Sequence, residues 1–268
     1  MDKGFLIDMD GVIYSGNDLI PGADTFIKTL QDRDIPFLFM TNNSQRSPID
    51  VVNKLKPMGI QITEDNVYTS AMATAWFLGF TKPNGTAYVL GEGGLLSSLH
   101  QHGYSLVTQD PDYVVVGEGR NFTLEMANNA VDMILGGAKL IATNLDPSPM
   151  KKGWANLGIK AIVKMIEEAS GRKAFSVGKP SPVMMRAARK KLGLTTDQTI
   201  VIGDTMDTDI LGSIQMGYKT ILTLSGVSKK NDLASYAYGP DMVIESLKEF
   251  DIDAALEKLS VVNNYSEF

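Results

Sequence analysis

The chain has 268 residues, of which 44% are hydrophobic and 21% charged, an ordinary composition for one large globular domain or two smaller ones. The net charge of -6 and the lack of a long basic run exclude the electrostatic footprint of a protein that binds nucleic acid or an anionic membrane. Cysteine is absent, which excludes disulfides and thiol chemistry, and the two histidines share one segment, which argues against a Ser-His-Asp triad. With no signal-like start and no apolar stretch of about 18 residues, we expect a cytoplasmic protein.

The first 80 residues alternate short apolar runs with amphipathic spacings, a pattern typical of an open parallel sheet. The predicted elements are a strand before Asp8, a helix that buries Ala23, Phe26, Ile27 and Leu30, a strand at 36–40, a helix from Ser47-Pro48 to Gly59, a strand at 67–69 and a helix over 70–80.

A cluster of helix breakers at 81–85 predicts a domain boundary, and a second strand-and-helix series follows it. Two of its strands, at 87–90 and 113–116, end in the same Gly-Glu-Gly sequence. Neither completes a G-x-G-x-x-G pattern, because Leu96 and Phe122 take the place of the last glycine. We therefore interpret both as tight strand-to-helix turns and not as a dinucleotide site. The series continues with a helix at 124–135, a strand at 139–143 and a helix at 157–170.

The last third of the sequence returns to the pattern of the first. We expect the main sheet to resume at Ala174 and the tail after Ser260 to be frayed. The predicted elements are strands at 174–178, 199–203, 219–224 and 241–244, and helices after Ser181-Pro182, over 207–216 and over 246–259.

The predicted fold class is therefore α/β, with a doubly wound, Rossmann-like parallel sheet and an inserted α/β domain. Residues 1–80 and 174–268 would form the sheet domain, and residues 81–173 the insert.

Polar side chains follow four of the predicted strands where each strand ends. They are Asp8 and Asp10, Thr41 and Asn42, Lys179, and Asp204 with Asp209. In open parallel sheets, ligands bind outside the carboxyl ends of the strands. The first aspartate pair alone also fits an Asp-x-Asp-Gly turn. The four groups together suit a phosphoryl group and Mg²⁺, because two close carboxylates repel each other unless a cation is present.

These motifs carry a resemblance to a known family. The segments concerned are 8–12, 41–42, 177–182 and 203–204 with Asp209, supported by 68–75 and 141–144. In this order they resemble the haloacid dehalogenase (HAD) superfamily of phosphatases, and above all its NagD-like subfamily IIA. That subfamily includes p-nitrophenyl phosphatases and enzymes acting on sugar phosphates and nucleoside monophosphates. The resemblance covers essentially the whole chain and implies a large α/β cap domain inserted at 81–173.

The resemblance also implies roles for the aspartates. Asp8 would be the nucleophile that forms an aspartyl-phosphate, and Asp10 would protonate the leaving oxygen and then deprotonate the attacking water. Their spacing fits this division, because alternate residues of an extended chain project in the same direction. Mg²⁺ would be held by Asp8, by Asp10 through its backbone carbonyl, and by Asp204.

The remaining motif residues are expected to bind the phosphoryl group. Thr41 would donate its hydroxyl to a phosphoryl oxygen with the help of the Asn42 N–H, and Lys179 would neutralise charge on the transferring group. The alternatives are a capping or turn threonine at Thr41 and a solvated surface charge at Lys179. Asp209 would orient Lys179 or a metal-bound water, and the first-turn acid of a helix is the less favoured alternative.

Substrate choice is less defined by the sequence. Within 144–154, the side chains of Asp146, Lys151, Lys152 and Trp154 are candidates for contacts to the leaving group, and a solvated connector is the alternative. Residues 152–158 depart from the Pro-Gly-x-Gly-like turn that the family often has here, so no particular substrate can be carried over.

The predicted activity is that of a phosphoric monoester hydrolase acting on sugar phosphates, nucleoside monophosphates and p-nitrophenyl phosphate. Alternatives are a phosphotransferase or phosphomutase with the same intermediate, a phosphatase narrowly specific for a metabolite such as glycerol phosphate or pyridoxal phosphate, and a non-catalytic binding module. The complete set of acids with Lys179 argues against the last. The expected partner is a small phosphorylated metabolite. We expect the protein to bind neither nucleic acid nor a membrane, and to be a monomer or a homodimer.

Overall fold

The computed structural model describes residues 3–147 and 157–260. They form two compact units. The first comprises the described residues of Met1–Met40, Lys54–Ile62 and Ala188–Phe268, and the second those of Thr41–Asn53 and Thr63–Ala187.

Strands and helices alternate along the described residues. The strands are β1 (Gly4–Ile7), β2 (Tyr14–Ser15), β3 (Asp18–Leu19), β4 (Phe37–Thr41), β5 (Val67–Thr69), β6 (Thr86–Leu90), β7 (Ser105–Leu106), β8 (Tyr113–Val116), β9 (Lys139–Ala142), β10 (Phe175–Ser176), β11 (Thr199–Gly203), β12 (Lys219–Thr223) and β13 (Met242–Ile244). The α-helices are α1 (Ala23–Asp32), α2 (Pro48–Leu55), α3 (Ser70–Thr81), α4 (Gly94–Gln101), α5 (Leu124–Leu135), α6 (Gly158–Ser170), α7 (Pro182–Lys191), α8 (Leu211–Met216) and α9 (Ile252–Ser260).

In the first unit, a parallel sheet runs in the order β13-β12-β11-β1-β4. Strand β1 lies between β11 and β4, with Ile7 opposite both Ile202 and Phe39. The chain therefore leaves β1 toward one side of the sheet and later returns on the other side. This reversal is the switch point at which doubly wound sheets bind their ligands. The predicted α/β class is confirmed.

The second unit contains a parallel sheet of its own, in the order β10-β9-β8-β6-β7. Apolar side chains of β6, β8 and β9 pack against α5 and α6 in a core that includes Val114, Val116, Ile134 and Val163. Both faces of the central strand β8 are buried, as its unbroken apolar sequence predicts.

Several predicted elements differ from the structure. The helix predicted over 207–216 is divided into a π-helical turn and α8. The strand at Phe175–Ser176 does not return to the main sheet: β10 pairs with β9 at the edge of the second sheet. The single closing helix predicted over 246–259 is broken. A 3₁₀ turn at Leu247–Glu249 is followed by extended Phe250, whose ring meets Phe26 edge-on. Asp251 then caps α9 by accepting the N–H groups of Asp253 and Ala254.

The predicted boundaries at residues 80 and 174 remain predictions about domains, since the compact units describe only which residues pack together. The frayed tail predicted after Ser260 lies outside the described residues.

Candidate active site

Three buried carboxylates meet in the first unit. Oxygens of Asp8, Asp204 and Asp209 all lie within 4.8 Å of one another, and each side chain is at most 8% exposed. Asp8 follows β1 directly and Asp204 follows the neighbouring β11, so the pairing of these two strands brings both acids to the same edge of the sheet. The two sequence motifs, almost 200 residues apart, thus form one cluster.

Glycines enclose Asp204. A Cβ atom on either Gly11 or Gly226 would overlap its Oδ2 atom. The same carboxylate accepts the Val227 N–H at 2.6 Å and the Thr205 hydroxyl at 2.9 Å. The side chain is therefore held in one position, and Gly11 of the Asp-x-Asp-Gly sequence is needed for the close approach as well as for the turn, where its φ is +84°.

Asp209 is brought to the cluster by an irregular helical turn. Residues Met206–Ile210 form a π-helix before α8 begins, instead of the continuous helix predicted from Asp207. Asp209 lies in the first turn of this helix, is completely buried and accepts the Thr205 N–H at 3.3 Å. Single π-turns are frequent at functional sites because they redirect one side chain.

Asp10 differs from the other three aspartates. It is exposed, and its Oδ2 accepts the Tyr14 hydroxyl at 3.2 Å. Its carboxylate does not belong to the cluster formed by the described residues, which leaves only its backbone carbonyl as a ligand of the predicted kind. An exposed carboxylate next to this cluster in sequence suits proton transfer.

The cluster fits a hard divalent cation. Three buried carboxylates at this spacing repel one another and cost desolvation energy, and a bound cation offsets both effects. Carboxylate oxygens are the ligands that Mg²⁺ and Ca²⁺ prefer. The sequence predicted two of these acids as ligands and Asp209 as an auxiliary residue, whereas the structure places all three together.

In the second unit, Thr41 ends β4 and is 5% exposed. Its Oγ1 accepts the Asn43 N–H at 3.1 Å, so the predicted turn interaction is present. A hydroxyl that accepts such a bond still carries its own proton for donation to a phosphoryl oxygen. The two interpretations of Thr41 are therefore compatible.

The Asn42 side chain is paired with Lys179. Its Oδ1 accepts the Lys179 N–H at 2.7 Å, and its Nδ2 donates to the Lys179 carbonyl at 3.1 Å and to Asp146 Oδ1 at 2.9 Å. The Asn42 carbonyl accepts the Ser70 hydroxyl and the Asn144 amide. Lys179 is itself 3% exposed. The sequence suggested only the Asn42 N–H as a ligand, and gave no signal for this pairing across 137 residues.

Two family models match the sequence: residues 5–105 match the haloacid dehalogenase-like hydrolases and residues 176–250 the HAD-hydrolase-like model. Ribonucleotide monophosphatase NagD of Escherichia coli K12 is 38% identical over 250 residues, which cover 93% of this chain and 98% of NagD. Dihydroxyacetone phosphatase of Corynebacterium glutamicum strain R is 39% identical over 245 residues, which cover 91% of this chain and 89% of that phosphatase. The chain belongs to the haloacid dehalogenase-like hydrolases.

Solved structures of this family agree with the fold. A mutant thermostable NPPase from Geobacillus stearothermophilus has a TM-score of 0.87 at 38% identity, covering 94% of this chain and 99% of its own. The NagD structure from E. coli K-12 has the same TM-score at 37% identity, covering 93% and 98%. The predicted membership of the NagD-like group of HAD hydrolases is confirmed.

For this HAD hydrolase, the segment predicted to contact substrate is described only in part. Asp146 Oδ1 accepts a hydrogen bond from the Asn42 side chain, and Asn144 Oδ1 accepts the Asp146 N–H at 3.0 Å. Lys151, Lys152 and Trp154 lie outside the described residues. None of the helices in the described part of the chain has the length and apolar character needed to span a membrane.

Glu118, in the second Gly-Glu-Gly turn of this HAD hydrolase, has no role predicted from the sequence. Its Oε2 accepts the Ser44 N–H, the Ser44 hydroxyl at 2.9 Å and the Gln45 N–H at 3.3 Å. Although part of the residue remains accessible, burial of the carboxyl raises its pKa to about 7, against the lowering effect of these hydrogen bonds.

Proposed function

We propose that this HAD hydrolase is a Mg²⁺-dependent phosphatase of small phosphorylated metabolites. The observation that carries the proposal is the cluster of Asp8, Asp204 and Asp209 at the switch point of the sheet. Relatives are named dihydroxyacetone phosphatase, ribonucleotide monophosphatase and acid sugar phosphatase, which supports the same reaction class here.

Asp8, Asp204 and Asp209 would hold the cation. The Asp10 carbonyl, predicted from the sequence, would be a fourth ligand. When bound, Mg²⁺ supplies positive charge that offsets the repulsion between these carboxylates and a phosphate dianion. Mg²⁺ takes six oxygen ligands, so these four protein ligands would leave two positions for water and phosphate oxygens.

In the proposed reaction, an Asp8 carboxylate oxygen attacks phosphorus, and the bond from phosphorus to the substrate's ester oxygen breaks. Asp10 gives its proton to the departing oxygen, so an alcohol leaves and an aspartyl-phosphate remains. Asp10 then takes a proton from water, and the resulting hydroxide attacks phosphorus. Inorganic phosphate and the free Asp8 carboxylate are released. The exposed position of Asp10 and its bond to Tyr14 suit this role.

Thr41 and Lys179 are proposed to bind the phosphoryl oxygens, on the strength of the motif order that the family shares. The burial of both side chains supports a role other than that of solvated surface groups. Asn42 is proposed to have a second role besides the predicted donation of its N–H, since its side chain orients the Lys179 backbone.

The substrate class is a phosphate monoester of a small metabolite, with the specific ester left open among sugar phosphates, nucleotides and triose phosphates. A cytoplasmic location, and a monomeric or homodimeric state, remain predictions. No described feature favours a phosphoryl acceptor other than water, so the transferase alternative is not preferred.

The test is hydrolysis of p-nitrophenyl phosphate at neutral pH with excess Mg²⁺, with EDTA, and with the variant Asp8→Asn. Turnover that requires the metal and Asp8 supports the proposal. The proposal is wrong if purified wild-type protein, in Mg²⁺, hydrolyses neither p-nitrophenyl phosphate nor any member of a panel of sugar phosphates, nucleotides and triose phosphates.

A further inference from the structure

Both Gly-Glu-Gly turns of the second unit contact the same segment, residues 42–46, which we call the β4 exit loop. At the first turn, Gly94 N–H donates to the Gln45 carbonyl at 2.6 Å, and Glu92 Oε2 accepts the Gln45 side-chain amide at 3.1 Å. A Cβ on Gly93 or Gly94 would overlap carbonyl oxygens of this loop. The glycines of the first turn are therefore needed for its close contact with the β4 exit loop.

Glu118, in the second turn, makes several hydrogen bonds to the β4 exit loop. One carboxylate oxygen accepts two N–H groups and one hydroxyl from Ser44 and Gln45. The pairing is reciprocal, because the Glu118 N–H donates back to the Ser44 hydroxyl at 2.9 Å. Thr143 donates to the same hydroxyl at 3.2 Å, and both Ser44 and Thr143 are completely buried. Gly117 admits this approach, since a Cβ there would lie 2.9 Å from the Ser44 oxygen.

We propose that Glu118, as its carboxylate, is a positioning residue that holds the β4 exit loop and thereby Thr41 and Asn42 in their binding conformation. The inference rests on the proposed phosphatase function, because it gives the loop a phosphoryl group to bind. A carboxylate can accept several N–H and O–H groups at one oxygen, and such charge-assisted bonds are about twice as strong as neutral ones.

The ionised state of Glu118 is energetically costly, which is unusual for a residue needed only for packing. Burial and, to a smaller extent, the negative charge of Asp146 favour the protonated form, so the pKa lies near 7. Protonation removes the charge from the acceptor of three hydrogen bonds. A group that must be ionised to hold the loop, yet destabilises the fold when ionised, is typical of a functional residue.

The test compares wild type with Glu118→Gln, which keeps the shape and removes the charge. Glu167→Gln is the matched control: Glu167 is a buried carboxylate of the same unit that accepts the Ala174 N–H and pairs with Lys164, away from the β4 exit loop. For each protein, kcat and KM for p-nitrophenyl phosphate are measured from about pH 5.5 to about pH 8.5 in Mg²⁺, together with Tm. Amide hydrogen exchange of the peptide that contains Ser44 and Gln45 reports loop order without requiring activity.

We expect kcat of Glu118→Gln to fall about tenfold at pH 8, with faster exchange in the loop and a Tm no lower than that of wild type. We also expect the acid limb of the wild-type profile near pH 7 to flatten in this variant, and Glu167→Gln to keep the wild-type profile. Unchanged kcat or unchanged loop exchange in Glu118→Gln would overturn the inference, as would a loss of kcat that only follows a loss of Tm. Lack of phosphatase activity in wild type would overturn the proposed function, whereas unchanged loop exchange in Glu118→Gln would overturn the positioning role of Glu118 by itself.

Discussion

The side-chain amide of Asn42 is hydrogen-bonded to both backbone groups of Lys179, at 2.7 Å to its N–H and 3.1 Å to its carbonyl. An amide can do this because it has a donor and an acceptor side by side, as a peptide group has. Asp146 accepts the remaining Asn42 proton at 2.9 Å and so fixes which end of the amide is the donor. Lys179 is thus held in place through its backbone.

Asn42→Asp should lose this pairing, because a carboxylate would then face both Asp146 and the Lys179 carbonyl. We expect a destabilisation of about 3 kcal/mol, measured by urea unfolding, and a fall in kcat of more than about tenfold. The double variant Asn42→Asp with Asp146→Asn restores a donor opposite the new carboxylate and should recover part of the lost stability. Strictly additive losses in the double variant would show that the Asn42–Asp146 bond does not set the amide orientation.

Asp8→Asn is expected to separate activity from stability. It removes one of three mutually repelling buried charges, so in EDTA its Tm should equal that of wild type or exceed it by about 2–4 °C. The Tm increase caused by Mg²⁺ should shrink, because one ligand is lost. Phosphatase activity should fall at least about a thousandfold. Thermal unfolding with and without metal checks the first two points, and a lower Tm in EDTA would mean that the three carboxylates do not repel one another as inferred.

Gly226→Ala should be far more harmful than its size suggests, because the added Cβ would overlap Asp204 Oδ2. We expect a loss of metal-dependent stabilisation and a fall in kcat of about a hundredfold or more. Gly79→Ala is the matched control, since its nearest neighbour would be 3.9 Å away and alanine favours a helix such as α3 by about 1 kcal/mol. Equal behaviour of the two variants in a Mg²⁺ titration followed by Tm would contradict the glycine requirement.

Glu118 gives a prediction on pH and stability. Its pKa is about 7 in the folded protein, raised chiefly by burial from the ordinary carboxyl value of 4.5. Protonation therefore favours folding: the contribution is fully present below about pH 4.5 and lost as the pH rises through about 7. A shift of this size corresponds to about 3 kcal/mol. Relative to Glu118→Gln, wild type should lose stability between these pH values, as measured by unfolding free energies. A difference that is constant with pH would show that Glu118 is not shifted.

Much of the fold was predictable because local signals were strong. Helix α5 has the predicted bounds, and α1 buries the four residues that its spacing indicated. The prediction that 174–178 belongs to the main sheet was wrong, because β10 pairs with β9 in the second sheet. A short apolar run is equally compatible with either of two parallel sheets. The closing helix was predicted as continuous because the Asp251 cap and the Phe26–Phe250 contact are recognised only once the chain is folded.

For the site, the sequence identified the acids but not their environment. Asp204 and Asp209 stand out because they follow an apolar strand, yet the π-turn that buries Asp209 has no composition signal. Glu118 was assigned to a turn, and only the fold brings it to Ser44, 74 residues earlier in the chain. The repetition of Gly-Glu-Gly was the available hint, since two identical turns suggest a shared neighbour.

The central position of β1 has a consequence for synthesis. Its partner β11 begins at Thr199, so a ribosome must translate nearly three quarters of the chain before one edge of β1 can be covered. Until then, the nascent protein exposes an unpaired apolar strand, which is a known route to aggregation. The three acids also remain apart during this time, so no amino-terminal fragment that ends before β11 can assemble the metal ligands.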